Sequence, residues 1–66
     1  MSQEINIKAI REAMGLSQTE FAARFCLSIF ALRNWEQGKR NPDPAARAYL
    51  KIIEKEPEMV SKILAV

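Results

Sequence analysis

Apolar side chains recur along this sequence at helical spacing, in short runs that glycine and proline separate. Ile7, Ile10 and Met14 lie at positions i, i+3 and i+7, which form one stripe of an α-helix. Gly15 follows this run directly, at a position where helices commonly end. No segment sustains the period-2 alternation of a strand, so the pattern predicts an all-α fold of five short helices joined by short turns.

Capping residues predict the limits of the second and third helices. Ser17 reads as an N-cap residue, and Glu20 three positions later completes a capping box. Ser28 is a second N-cap candidate, and the third helix is expected over residues 29–37, with Gly38 ending it.

These two helices, with the short turn between them, form a helix-turn-helix arrangement over about residues 17–37. The geometry of that arrangement turns six side chains inward: Phe21, Ala22, Phe25, Leu27, Leu32 and Trp35. It leaves six positions outward on the third helix: Ser28, Ile29, Phe30, Arg33, Asn34 and Gln37. A mixture of a cation, amides, a hydroxyl and apolar groups suits the edges of base pairs in a major groove.

Prolines open the two remaining helices. Asp43 as N-cap with Pro44 in the first turn begins the fourth helix, and Pro57 begins the fifth. We expect the fourth helix to pack through Ala45, Ala48, Tyr49, Ile52 and Ile53. The fifth carries more large apolar side chains than it can bury against its own domain: Met59, Val60, Ile63 and Leu64. The helix at about 57–64 is therefore a candidate dimer contact.

Composition narrows the classes of function. A chain of 66 residues, 48% of them hydrophobic, provides one small ordered domain, which we place at residues 1–66. With no histidine and one cysteine, a Cys/His zinc site, a disulfide scaffold and a histidine-based triad are excluded. Since no cleft is expected in so small a bundle, we expect no enzyme, and we expect no metal or cofactor. No apolar run is long enough to span a membrane and no signal-peptide pattern begins the chain, so we expect a cytoplasmic protein.

Charge is distributed unevenly, although the net charge is only +2. Residues 17–51 contain six basic side chains against three acidic ones, whereas residues 52–66 contain two basic against three acidic. The basic excess lies in the segment that includes the helix-turn-helix. Cationic side chains bind DNA phosphates, so this distribution is consistent with DNA binding by that segment.

The stretch GLSQTEFAARFCLSIFALRNWEQGKR, residues 15–40, resembles the Cro/repressor-like (Xre-type) helix-turn-helix family. The S-Q-x-x-F-A start and the W-E-x-G-K-R end, at this separation, carry the resemblance. It implies a compact five-helix, lambda-repressor-like DNA-binding domain. Residues 28–60 are most similar, within that family, to small regulators encoded beside toxins, the HigA-type antitoxins.

The resemblance also implies roles for individual positions. Phosphate contacts are implied for Gln18, Lys39, Arg40 and, with a base as the alternative, Ser28. Base contacts are implied for Ile29, Phe30, Asn34 and, beside them, Arg33. For the two apolar residues, packing against the first helix or a partner is the alternative, and for the polar ones a solvated helix face. Arg11 and Glu36 match a pair that forms an internal salt bridge.

One position departs from the family pattern. Cys26 stands in the turn where glycine is usual, because that position needs a positive φ. We expect strain there and a gain in stability from Cys26→Gly.

The function that these observations predict is a sequence-specific, dimeric repressor on a double-stranded DNA operator, with the third helix in the major groove. The alternative is an antitoxin of a type II toxin–antitoxin pair, which would also bind and neutralise a toxin protein. A third interpretation is a protein-interaction module that has lost DNA binding.

Overall fold

The computed structural model describes residues 5–65 and folds them into five α-helices. The helices are α1 (Ile7–Ala13), α2 (Gln18–Arg24), α3 (Ile29–Gln37), α4 (Pro44–Lys55) and α5 (Pro57–Leu64). No strand occurs between residues 5 and 65, and the predicted all-α, five-helix fold is confirmed. The predicted domain at 1–66 also included residues 1–4 and 66, which lie outside the described residues. Every helix in the described part is too short or too polar to cross a bilayer.

Side-chain caps begin the first four helices. Ser17 Oγ accepts from the backbone N–H of Glu20 at 3.0 Å, and Glu20 Oε1 accepts in return from the N–H of Ser17 at 2.9 Å, as the predicted capping box requires. The hydrogen bond from the Ser17 backbone lowers the pKa of the Glu20 carboxyl. Ser28 and Asp43 cap α3 and α4 as predicted, and Asn6, which the sequence analysis did not single out, caps α1.

The first three helices end in the same left-handed turn. Gly15, Cys26 and Gly38 have φ values of 69°, 56° and 76°. After each of them, the amide of the next residue donates to the carbonyl five positions earlier, at 3.3, 2.8 and 2.9 Å. The expected positive φ of Cys26 is confirmed, and this cysteine holds a Cβ where the other two turns have none.

Nine apolar side chains form the core of the described residues: Ile7, Ile10, Phe21, Ala22, Phe25, Leu32, Leu50, Ile53 and Val60. The core therefore draws on all five helices. Four of the six predicted inward positions of the helix-turn-helix are buried, and the other two, Leu27 and Trp35, are half-buried against this core.

The predicted apolar face of α4 is partly wrong. Leu50 is fully buried, whereas Ile52 is exposed, as are the two alanines at 45 and 48. Tyr49 and Ile53 can share a helix face with either Leu50 or Ile52, and the prediction with Ile52 is the one that fails. Since residues two apart on a helix point about 200° apart, Leu50 and Ile52 cannot face the same core.

A hydrogen bond from α4 and a buried valine of α5 attach the C-terminal helices to the rest of the domain, and three apolar side chains of α5 remain exposed. The hydroxyl of Tyr49 donates to the carbonyl of Phe25 at 2.7 Å, and burial raises the pKa of this phenol. Val60 of α5 enters the core, while Met59, Ile63 and Leu64 stay exposed. The predicted apolar surplus of α5 is confirmed.

Candidate nucleic-acid interface

The outer face of α3 carries four of the predicted outward residues. Phe30, Arg33, Asn34 and Gln37 lie at positions i, i+3, i+4 and i+7, which share one side of a helix. Phe30 is 73% exposed, Arg33 and Gln37 are exposed, and Asn34 is half-buried. Since Leu32 fixes the opposite side of α3 in the core, this face is turned to solvent by the packing of the domain.

Ile29 departs from the predicted outward face. Its side chain is half-buried and packs against the hydrophobic core, which corrects the expectation that it points outward beside Phe30. The reason is its spacing: Ile29 precedes the fully buried Leu32 by three positions, and such residues share a helix face. Only the exposed part of its side chain is available to a ligand.

Groups that suit phosphate lie at both ends of α3. Ser28 is exposed at the N-terminus, where its oxygen accepts from a backbone N–H at 3.3 Å and its O–H remains free to donate. Lys39 and Arg40 follow the C-terminal turn and are exposed. The backbone amides of both donate to the Asn34 carbonyl, at 2.9 and 3.4 Å, so this basic loop is fixed to the end of α3.

An ion pair inside the domain joins α1 to α3. The guanidinium of Arg11 donates from Nε to Glu36 Oε2 at 2.8 Å and from Nη2 to Oε1 at 2.9 Å. The two side chains are only 12% and 5% exposed. The hydrogen bonds from Arg11 lower the pKa of the Glu36 carboxyl, and those to Glu36 raise the pKa of Arg11. The pairing that the resemblance implied is confirmed.

Two further hydrogen bonds extend this pair to the start of α2. Arg11 Nη1 donates to the carbonyl of Leu16 at 3.0 Å, immediately before α2 begins. Gln18, the first residue of α2 and half-buried, donates from Nε2 to Glu36 Oε1 at 3.1 Å. Gln18 was expected only as a phosphate ligand, and its contact with Glu36 was not predicted. The two residues are 18 apart, and no periodicity links them.

The electrostatics of this surface favour an anionic ligand. All six basic residues between positions 17 and 51 are exposed: Arg24, Arg33, Lys39, Arg40, Arg47 and Lys51. The three acidic residues of the same stretch are engaged within the domain. Glu20 closes the capping box, Glu36 pairs with Arg11, and Asp43 caps α4. All six basic side chains are thus exposed, and the Glu36 carboxylate is paired and largely buried, while Glu20 and Asp43 make their capping bonds at exposed positions.

The comparisons with known proteins agree with this geometry. A family model described as helix-turn-helix matches residues 7–46, which include α1, α2, α3 and the basic loop. A crystal structure of an HTH XRE-family like protein from Agrobacterium tumefaciens matches with a TM-score of 0.88 and 49% sequence identity, over 92% of this chain and 98% of that one. The chain belongs to the Xre-type helix-turn-helix family. The Xre type is a class of DNA-binding regulators and not of enzymes.

A curated relative of this Xre-type protein is the one named Antitoxin HigA-2, from Vibrio cholerae serotype O1. The two are 39% identical over 57 residues, which cover 86% of this chain. The matched part is 55% of the relative, so the chain spans about half the length of that protein.

Proposed function

We propose that this Xre-type regulator is a sequence-specific binder of double-stranded DNA, which represses its own operon as a dimer with α3 in the major groove. The observation that carries the proposal is the exposed face of α3, with a free serine hydroxyl at one end and a fixed basic loop at the other. A helix presented in this way can contact base edges while its ends contact the two DNA strands.

The side chains on that face match the chemistry of base edges. Arg33 suits the two acceptors of guanine, Asn34 suits the donor and acceptor of adenine, and Phe30 suits the methyl group of thymine. The exposed part of Ile29 can add an apolar contact. The phosphate contacts are assigned to Gln18, Ser28, Lys39 and Arg40.

The size of the domain and its α5 surface support a homodimer. One small module buries about 600–1,000 Å² of its own surface on DNA, the low end for specific complexes, and helix-turn-helix dimers bind the two half-sites of a palindromic operator. Ile63 is 64% exposed, and Met59 and Leu64 are exposed beside it on the same helix. These side chains support α5 as the contact between two copies. A dimer bound to the operator would exclude RNA polymerase from the promoter.

The proposal is tested by fluorescence anisotropy with the DNA upstream of the gene, at two salt concentrations and with random duplex as competitor. Arg33→Ala should lose about 1–3 kcal/mol of discrimination at one base position, because its contact reads a base. Lys39→Ala should weaken binding to all sequences alike and reduce the salt slope by about 1.

Lys55→Ala is the matched control, because Lys55 is exposed at the end of α4, outside the basic stretch at 17–51. It should leave both affinity and specificity unchanged. If Arg33→Ala and Lys39→Ala also leave them unchanged, α3 is not the DNA-reading helix.

The second candidate function is that of an antitoxin, and the observation that favours it is the 39% identity with the protein named Antitoxin HigA-2. In this case the chain would also bind and neutralise a toxin. Co-expression with the product of the adjacent gene tests it. Rescue of growth together with co-purification of the two proteins would support the antitoxin role, and growth arrest without a complex would contradict it.

A further inference from the structure

The Glu36 carboxylate is shared between two side chains with different tasks. Its two oxygens accept two hydrogen bonds from Arg11, at 2.8 and 2.9 Å, and one from the Gln18 amide, at 3.1 Å. Glu36 is itself 5% exposed, so it is not placed to contact a large ligand. Gln18 is half-buried and lies at the first position of α2.

The bond to Glu36 selects one orientation of the Gln18 amide. A carboxylate only accepts hydrogen bonds, so the amide must turn its NH₂ group, and not its oxygen, towards Glu36. That NH₂ group has two N–H donors, and one is used by Glu36. The second N–H remains, and a phosphate oxygen is likewise only an acceptor.

The charge of Glu36 does not oppose this arrangement. Arg11 neutralises the carboxylate through two parallel hydrogen bonds, and its third bond holds the carbonyl of Leu16 just before α2. The ion pair therefore fixes the start of α2 against the end of α3, and an uncompensated negative charge does not face the phosphates.

We propose that Glu36 is a positioning residue for DNA binding, which holds the Gln18 amide with one N–H available to a phosphate oxygen. The inference rests on the proposed function, in which Gln18 contacts the DNA backbone. An internal ion pair then determines the geometry of a contact that it does not itself make.

A double-mutant cycle tests this role. Glu36→Asp keeps the charge opposite Arg11 but shortens the side chain by one methylene, so the carboxylate no longer reaches both partners. Binding is measured by anisotropy on a random-sequence duplex at low salt, because phosphate contacts do not depend on sequence. Gln18→Ala and Glu36→Asp should each weaken binding about fivefold. The double variant should bind no more weakly than Gln18→Ala alone.

A merely structural role gives a different result. If the effects of the two substitutions multiply, Glu36 acts on the domain as a whole and the proposal is overturned. Thermal melts of all four proteins establish that each is folded at the binding temperature. Glu54→Asp, at an exposed position of α4, is the matched control and should leave the affinity unchanged.

A spectroscopic measurement keeps the test decisive if Glu36→Asp fails to fold. In the unsubstituted protein labelled with ¹⁵N, the side-chain N–H signals of Gln18 should shift when the random duplex is added. Signals that stay unchanged while the protein is saturated with DNA would overturn the role of Gln18 and, with it, that of Glu36.

The outcome is separate from that of the repressor proposal. Coupling between Gln18 and Glu36 without preference for the upstream DNA would overturn the repressor and support the positioning role. If the protein prefers the upstream DNA but the effects of Gln18→Ala and Glu36→Asp multiply, the repressor proposal is supported and the positioning role is overturned. Failure to bind any duplex at low salt would overturn both.

Discussion

The helix-turn-helix part of the domain, α1 to α3, and the C-terminal pair, α4 and α5, both contribute to the apolar core, but the directed side-chain bonds between helices are concentrated in the first part. A largely buried ion pair with directed hydrogen bonds connects α1, α2 and α3. Leu50, Ile53 and Val60 attach the C-terminal pair mainly through apolar burial. Within residues 5–65, one side-chain hydrogen bond, from Tyr49 to the Phe25 carbonyl, joins α4 to the helix-turn-helix.

The difference suits the role proposed for each part. Hydrogen bonds and ion pairs have preferred directions, so they fix one helix against another, whereas apolar burial is favourable in many orientations. The segment proposed to read base edges is fixed by directed bonds. The segment that covers the core, and whose apolar surface is proposed to meet a second copy, is held without them, apart from the Tyr49 contact.

The largest expected effect comes from breaking the ion pair. Glu36→Ala leaves the Arg11 guanidinium, which is 12% exposed, without its partner. We expect a loss of about 3 kcal/mol in the free energy of unfolding, measured by urea denaturation. Glu54→Ala, at an exposed position of α4, should change it by less than about 0.5 kcal/mol. Equal losses in the two variants would show that the ion pair is not what holds α1 to α3.

Acid should weaken the same part of the domain by a smaller amount. The pKa of Glu36 is lower in the folded protein than in the unfolded chain, chiefly because of the hydrogen bonds from Arg11. Its stabilising contribution is therefore fully present above the ordinary glutamate value of about 4.3 and is lost as the pH falls through the lower folded value. The urea midpoint of the unsubstituted protein should fall as the pH is lowered from about 6 to about 3. The midpoint of Glu36→Gln should fall less steeply over the same range. Parallel pH curves for the two proteins would contradict the prediction.

A smaller loss is expected from the bond between the two parts. Tyr49→Phe removes the hydroxyl and leaves the Phe25 carbonyl without that donor. We expect the free energy of unfolding to fall by about 1 kcal/mol, because the apolar attachment of α4 persists. Thermal melts measure the change. An effect as large as that of Glu36→Ala would mean that the C-terminal pair also depends on a directed bond.

The smallest effect has the opposite sign. Cys26→Gly removes a Cβ from a residue with φ of 56° and should raise the free energy of unfolding by about 0.5–1 kcal/mol. Gly38→Ala is the matched reverse change, because nothing lies within 4 Å of the added Cβ and only the φ of 76° opposes it. It should cost about 1 kcal/mol. A melting temperature that falls on Cys26→Gly would refute the strain at this turn.

The sequence was sufficient wherever the controlling interaction is local. Ser17 and Glu20 are three residues apart and bond to each other, so the spacing alone predicts the capping box. The positive φ of Cys26 was expected from the resemblance to the Xre-type family, in which glycine is usual at that turn position. The Arg11–Glu36 pair was available only through the resemblance to the Xre-type family, since 25 residues separate the two.

Interactions between helices account for the parts that were missed. Nothing local distinguishes Leu50 from Ile52 as the buried residue, because the choice depends on which side of α4 meets the other helices. Ile29 is half-buried for the same reason. The contact between Gln18 and Glu36 depends on how α2 packs against α3, and no spacing in the chain encodes that proximity.

The hydrogen bonds to the backbone carbonyl of Asn34 affect how the DNA specificity of such a regulator could evolve. This backbone group, and not the side chain, holds the amides of Lys39 and Arg40. Side chains at positions 33 and 34 can therefore be exchanged while the basic loop keeps its place. Under the proposed function, a lineage of these proteins can acquire a new target sequence by substitutions on α3 alone, with its hold on the DNA backbone inherited intact.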